Sequence, residues 1–196
     1  MAVMQTPSLS LKVPAFTAVI LAGGRSSRMG QDKALLQING QSLLEHMQQR
    51  VSQAGASQII ISRNQPGFIA DITPEQGPLG GILSVLPHCT EPKLLVVPID
   101  IPLVSAASLQ QLLTASSAAC YFTEHPLPCV LPNNAALKQR IISQLHTGQR
   151  SIKALLHGLS ASQLSADNTQ LINTNTPAQW QHCMQQLTLG VQDGQA

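Results

Sequence analysis

The chain of 196 residues is poor in charge: Asp, Glu, Lys and Arg together make up only 10% of it, and aromatic residues 3%. Little charge beside 43% apolar content excludes a disordered segment, which needs the opposite balance. The excess of cations is also small, eleven Lys and Arg against nine Asp and Glu, so the general attraction to a phosphate backbone is missing and no nucleic-acid partner is expected. Cysteine is sparse. Cys89, Cys120, Cys129 and Cys183 are widely spaced without a C-x-x-C pair, which excludes a disulfide-stapled scaffold and reads as buried thiols in a reducing compartment. No apolar run is long enough to span a bilayer and no charged-then-apolar signal pattern opens the chain, so a cytoplasmic protein without a membrane partner is expected.

What is present suffices for one compact domain with a sizeable core. Residues 1–15, with Pro7 and Pro14 among mixed polar residues, read as a flexible leader, 16–188 as the folded domain and 189–196 as a tail. Short apolar, β-branched runs predict strands at 16–22, 58–62, 93–99, 119–122, 128–131 and 169–173. The early runs are continuous rather than alternating, as strands buried on both faces of a parallel sheet should be. Helical periodicity lies between them. A helix begins with Ser42 and Glu45 in capping-box spacing and carries Leu44, Met47 and Val51 at three- and four-residue intervals, with Gly55 as the stop. Asn134 caps a helix with Leu137, Ile141 and Leu145 on one face, and Thr176 caps another with Pro177 at its first position. Shorter helices are predicted over 80–86 and 106–114. The alternation gives an α/β class: a single-domain, three-layer, Rossmann-like arrangement with a mainly parallel central sheet and an antiparallel excursion at 119–131.

One stretch concentrates the chemistry. In "LAGGRSSRMGQDKALL", residues 21–36, glycines follow the first predicted strand and Arg25, Arg28 and Lys33 gather three of the eleven cations. Ligands of open α/β sheets collect at the carboxyl ends of the strands, where this loop lies. Gly23 and Gly24 allow close backbone approach, so successive N–H groups can turn on an anion while Arg28 and Lys33 bond phosphate oxygens. Two familiar phosphate motifs are absent: Gly30 is followed by Gln31 and Asp32 where a Walker loop needs Lys and Ser or Thr, and G-x-G-x-x-G has no match. Asp100, where the run "LLVVPI" meets Pro102, sets a carboxylate at the same edge of the sheet, suited to Mg2+ shared with substrate phosphates.

These residues also carry a resemblance. LAGG-x-x-x-R-M-G-x-D-K, "NGQSLLEH", "GPLGGILSVL" at 77–86, "VVPIDIPLV" at 96–104, the HP and G-x-R elements that follow, and "NTNTP" resemble, in order, the MobA-type nucleotidyltransferases, the molybdenum cofactor guanylyltransferases. The resemblance spans residues 16 to about 188 and implies a nucleotidyltransferase fold. It implies transfer of GMP from GTP to the phosphate of molybdopterin, with release of pyrophosphate. Arg28 and Lys33 would then hold phosphates, and Asp100 would hold Mg2+. Leu21, Ala22 and Gly23 would contact the nucleotide through main-chain atoms, with Gly24 marking the guanine-preferring form of the loop. Gly77, Pro78, Leu79 and Gly80 would line the base and ribose, and Asn173, Asn175 and Arg150 the molybdopterin end. Implied partners are GTP, molybdopterin or its molybdenum-loaded form, other proteins of molybdenum cofactor biosynthesis and molybdoenzyme chaperones; the chain itself is expected to be a monomer or weak oligomer.

Two positions depart from the family pattern. Ser62 stands where Asn usually ends the second strand, and Glu75 is read as the acidic position before GPL in place of Asp; both are assigned to the nucleotide. His125 reads as a turn histidine, and the methionines and Trp180 as packing residues. The rival readings are a related transferase using CTP or another phosphate acceptor, and a non-catalytic nucleotide-binding homologue.

Overall fold

The computed structural model describes residues 13–23, 32–115 and 117–192. Its strands are β1 (Thr17–Leu21), β2 (Gln37–Ile38), β3 (Gln41–Ser42), β4 (Gln58–Ser62), β5 (Lys93–Pro98), β6 (Cys120–Phe122), β7 (His125–Pro132) and β8 (Ser162–Leu164). Its helices are α1 (Leu43–Gln53), α2 (Gly77–Val85), α3 (Ala106–Thr114), α4 (Ala135–His146), α5 (Ile152–Gly158) and α6 (Pro177–Gln192). Six strands form one sheet in the order β4-β1-β5-β7-β6-β8, in which β7 alone runs against its neighbours. The remaining two, β2 and β3, form a small hairpin whose turn, Asn39-Gly40, has both residues at positive φ, as a tight two-residue turn demands.

Alternation along the strands divides the core into two layers. Ala18 and Ile20 of β1, with Leu95 and Val97 of β5, pack toward Met47 and Val51 of α1 and Leu109 and Leu112 of α3. Val19, Leu94 and Val96 point the other way, toward Ile82 and Val85 of α2, Leu137 and Ile141 of α4, and Leu155 of α5. Trp180 and Met184 of α6 pack on the first layer, in keeping with their reading as packing residues. The expected capping box is complete: Ser42 Oγ accepts from the Glu45 N–H at 3.2 Å and Glu45 accepts from the Ser42 N–H at 2.7 Å. All four cysteines are free thiols, three of them buried; burial pushes Cys89 and Cys183 up to about 11, so these thiols stay protonated near neutral pH.

The connections place the site. From β1 the chain crosses to β4 over the α1 face, then returns past β1 to β5 over the α2 face, so the direction of winding reverses between β1 and β5. Side chains and loops at the carboxyl ends of these two strands therefore border an open crevice.

The structure corrects one predicted strand. Residues 169–173 do not pair; Asn168–Leu171 form a short 3-10 turn, because Asp167 accepts from the Thr169 N–H at 3.0 Å and from the Thr169 hydroxyl at 2.6 Å and winds the chain up there. The sheet edge is taken instead by β8, a three-residue polar strand. Also unpredicted is α5, capped by Ser151. Val13 packs on the first core layer, and α6 runs to Gln192.

Candidate active site

A cavity of about 560 Å3 opens at the carboxyl ends of β1 and β5. Leu21, Ala22 and Gly23 form its floor, and the Ala22 N–H is already bonded to the Ser62 carbonyl at 2.9 Å, which ties the start of the loop to the end of β4. Gly24 and Arg28 lie outside the described residues. The loop re-enters at Asp32, whose carboxylate accepts from the Ala34 N–H at 3.0 Å and caps the short 3-10 helix Lys33–Leu35.

Lys33 and Asp100 meet in this cavity. Lys33 donates from Nζ to Asn175 Oδ1 at 2.7 Å and stands 3.7 Å from Asp100 Oδ2. Both side chains are mostly shielded, 15% and 24% exposed, so their charges are screened less than those of a surface pair. Asp100 is held through its backbone: its carbonyl accepts from the Thr174 N–H at 2.8 Å and the Thr174 hydroxyl at 3.2 Å. Thr174 is fully buried, and in extended chain its neighbours Asn173 and Asn175 turn to the other side, into the cavity. This explains the N-x-N spacing. Asn175 is fixed in turn by Gln179, whose Oε1 accepts from the N–H groups of Asn175 (2.9 Å) and Thr176 (3.0 Å) while Thr176 Oγ1 accepts from the Gln179 N–H.

The segment after Asp100 is anchored from below. His46 on α1 donates from Nε2 to the Pro102 carbonyl at 2.8 Å, and the side-chain amide of Gln41 lies 3.5 Å from its Nδ1. Burial, the larger effect, lowers its pKa against the opposing pull of the Pro102 bond.

Glycine fits α2 against the strands. A Cβ on Gly81 would sit 2.6 Å from Ser62 Oγ and 3.3 Å from Leu21, so only glycine lets α2 approach β1 and β4 this closely. Gly77, at positive φ, and Pro78 open the helix at the cavity wall, and the N-cap residue Gln76 makes no side-chain capping bond, so the N-terminus of α2 borders the site. Two residues expected beside them are placed elsewhere. Leu79 is fully buried in the second core layer, and Gly80 faces Gln76; Gly81 lines the cavity instead, because helical spacing turns the neighbouring position outward.

A second cavity, of about 790 Å3, shares Ala22, Gly23, Asp32, Asp71 and Gly77 with the first and extends past Arg63 and Glu75. Glu75 thus borders this outer cavity, whereas Asp71, not singled out in the sequence, borders both. The carboxylate six residues ahead of the GPL segment was the signal for it. On the opposite side, the β6–β7 hairpin brings Glu124, His125 and Pro126 into the first cavity; His125, read as a turn residue, lines the wall with Nε2 3.2 Å from Asn168 Oδ1. Arg150 is exposed in the α4–α5 connection and lines neither cavity. Among the described residues no three or more His, Cys, Asp or Glu cluster as a metal cage, and no helix is long and apolar enough to cross a membrane.

Comparison with known proteins identifies the family. Residues 18–164 match the model of the MobA-like NTP transferase domain. The molybdenum cofactor guanylyltransferase of Xanthomonas euvesicatoria pv. vesicatoria is 42% identical over 174 residues, covering 84% of this chain and 92% of the relative; that of Shewanella sp. (strain MR-4) is 32% identical over 182 residues with the same coverage. The crystal structure of molybdopterin-guanine dinucleotide biosynthesis protein A from Archaeoglobus fulgidus, 20% identical, superposes with a TM-score of 0.72 over 88% of this chain and 98% of that one and shares its fold. The chain belongs to the MobA-like NTP transferase family.

Proposed function

We propose that the chain is a molybdenum cofactor guanylyltransferase, a nucleotidyltransferase that transfers GMP from GTP to the phosphate of molybdopterin and releases pyrophosphate. The relatives at 42% and 32% identity carry that activity in their names. The observation that carries the reading is the position of Lys33, bonded to Asn175 on one side and beside Asp100 on the other. A cation so placed faces the point where a triphosphate and a phosphate acceptor would meet.

In the reaction an acceptor phosphate oxygen forms a bond to the α-phosphorus of GTP, the bridge to the β-phosphate breaks, and pyrophosphate leaves with the electron pair. The nucleophile is already an anion, so no general base is required. The chain's task is alignment and neutralisation of charge on the phosphoryl oxygens. Lys33, the N–H groups at the start of α2 and the Gly23 N–H serve the nucleotide phosphates, together with Arg28. Asn173 and Asn175 orient the acceptor. The chemistry of the donors fits magnesium: the Asp100 carboxylate, beside amide oxygens, with substrate phosphates to complete a hard oxygen shell. That ion, when bound, would neutralise phosphate charge.

Asp71 and Glu75 favour GTP over CTP, since the guanine edge offers adjacent N1–H and amino donors to a carboxylate. Pyrophosphate release by the purified chain, measured with GTP and with CTP and with and without molybdopterin, tests the reading. Release that needs both GTP and molybdopterin supports it; release with CTP alone, or nucleotide binding without any release, sinks it.

A further inference from the structure

We propose that Arg63 is a positioning residue that acts on the nucleotide through Asp32, both fixing the turn that carries Lys33 and neutralising a carboxylate that faces the substrate's phosphates. This rests on the reading of the cavities as a nucleotide site.

Arg63 directly follows β4, and its side chain is only 8% exposed although it is a cation. Its Nη2 donates to Asp32 Oδ2 at 2.6 Å, and its guanidinium carbon lies 5.2 Å from the centre of the Phe68 ring. The Arg63 N–H is bonded to the Ile69 carbonyl at 2.9 Å, so the arginine is fixed at its backbone, along its side chain and at its tip. Asp32 divides its two oxygens: one is held by Arg63, the other caps the turn in which Lys33 is the first residue. A single 3-10 turn has little stability of its own. The direction of Lys33 toward Asn175 and Asp100 therefore depends on where Asp32 is held.

Charge makes the second half of the argument. Asp32 lines both cavities, where an uncompensated anion would repel a triphosphate. A guanidinium keeps its charge at every relevant pH and pairs a carboxylate without competing for Lys33. The pair thus lets a capping carboxylate stand beside a phosphate site.

The test is titration of GTP with Mg2+ into the full chain and its Arg63→Gln, Arg63→Lys, Asp32→Asn and Arg63→Gln/Asp32→Asn variants, with thermal midpoints as the fold control. Arg63→Gln should weaken GTP binding about tenfold or more, and Arg63→Lys, which restores charge without the fork or the stacking, should recover part of the loss. The double variant, freed of the unpaired anion, should bind GTP at least about threefold more tightly than Arg63→Gln, a gain that a purely structural arginine would not give. GTP affinity of folded Arg63→Gln within about twofold of the parent, or a double variant no tighter than the single one, overturns the proposal. Should Arg63→Gln fail to fold, the same decision falls to Arg63→Lys, for which parental affinity overturns it and weakened affinity supports it. Because the readout is GTP binding, a parent that binds GTP but transfers nothing to molybdopterin would refute the proposed function and leave this test intact.

Discussion

The two sides of the crevice are built differently. The nucleotide side rests on β4, β1 and β5, parallel strands whose carboxyl ends are followed by loops with glycines, a helix N-terminus and an ion pair. The acceptor side is assembled from the antiparallel β7, the β6–β7 hairpin tip and the extended residues before α6, and offers amides, His125 and Glu124. In the proposed function the first side receives the concentrated negative charge of the triphosphate, and the second offers hydrogen bonds to the acceptor. Lys33 and Asp100 lie between them.

The difference can be attacked from either side. In the proposed function Asp100 serves both, so Asp100→Asn should have the largest effect, a fall in turnover of about 10²–10³-fold, with a flattened dependence on Mg2+ and a nearly unchanged melting temperature. Equal metal titrations for variant and parent would remove Asp100 from the role. On the nucleotide side, Gly81→Ala drives a Cβ against Ser62 and Leu21 and should cost about 1–3 kcal/mol of stability by denaturant unfolding. On the acceptor side, Asn173→Ala should raise the KM for molybdopterin about tenfold while GTP affinity stays within about twofold. A loss shared equally by both substrates would erase the division.

The smallest effect concerns His46. Its folded pKa lies below the unfolded value, so the unfolded chain takes up a proton first as pH falls through the ordinary histidine range near 6.5; stability is full above that range and is lost below it. His46→Gln should flatten the pH dependence of the melting temperature between about 7.5 and 5.5. An unchanged slope would show that other groups set it.

The two sides were also unequally legible in sequence. Buried parallel strands write themselves as continuous runs such as "FTAVILA" and "KLLVVPI", and the nucleotide loop keeps its glycines and cations close together in the chain. Beyond the other side, the sheet edge is the short polar β8, and the chain then passes a turn wound by Asp167, where local side-chain bonding outweighs the strand preference of residues 169–173. The Ser151-Ile152 start with Leu155 and Leu156 was a usable signal for α5. No local pattern pairs Asp32 with Arg63, since adjacency of β1 and β4 joins residues 31 positions apart. Arg150, expected at the molybdopterin end, is exposed in the α4–α5 connection and lines neither cavity.

The central claim is that Lys33 joins the two sides through Asn175. A double-mutant cycle of Lys33→Ala and Asn175→Ala, read in kcat/KM for pyrophosphate release with GTP and molybdopterin, tests it most directly. The prediction is strong coupling, with the double variant little worse than Lys33→Ala alone. Losses that simply multiply would mean that the two residues act independently, and that the bridge between the two sides has no part in the reaction.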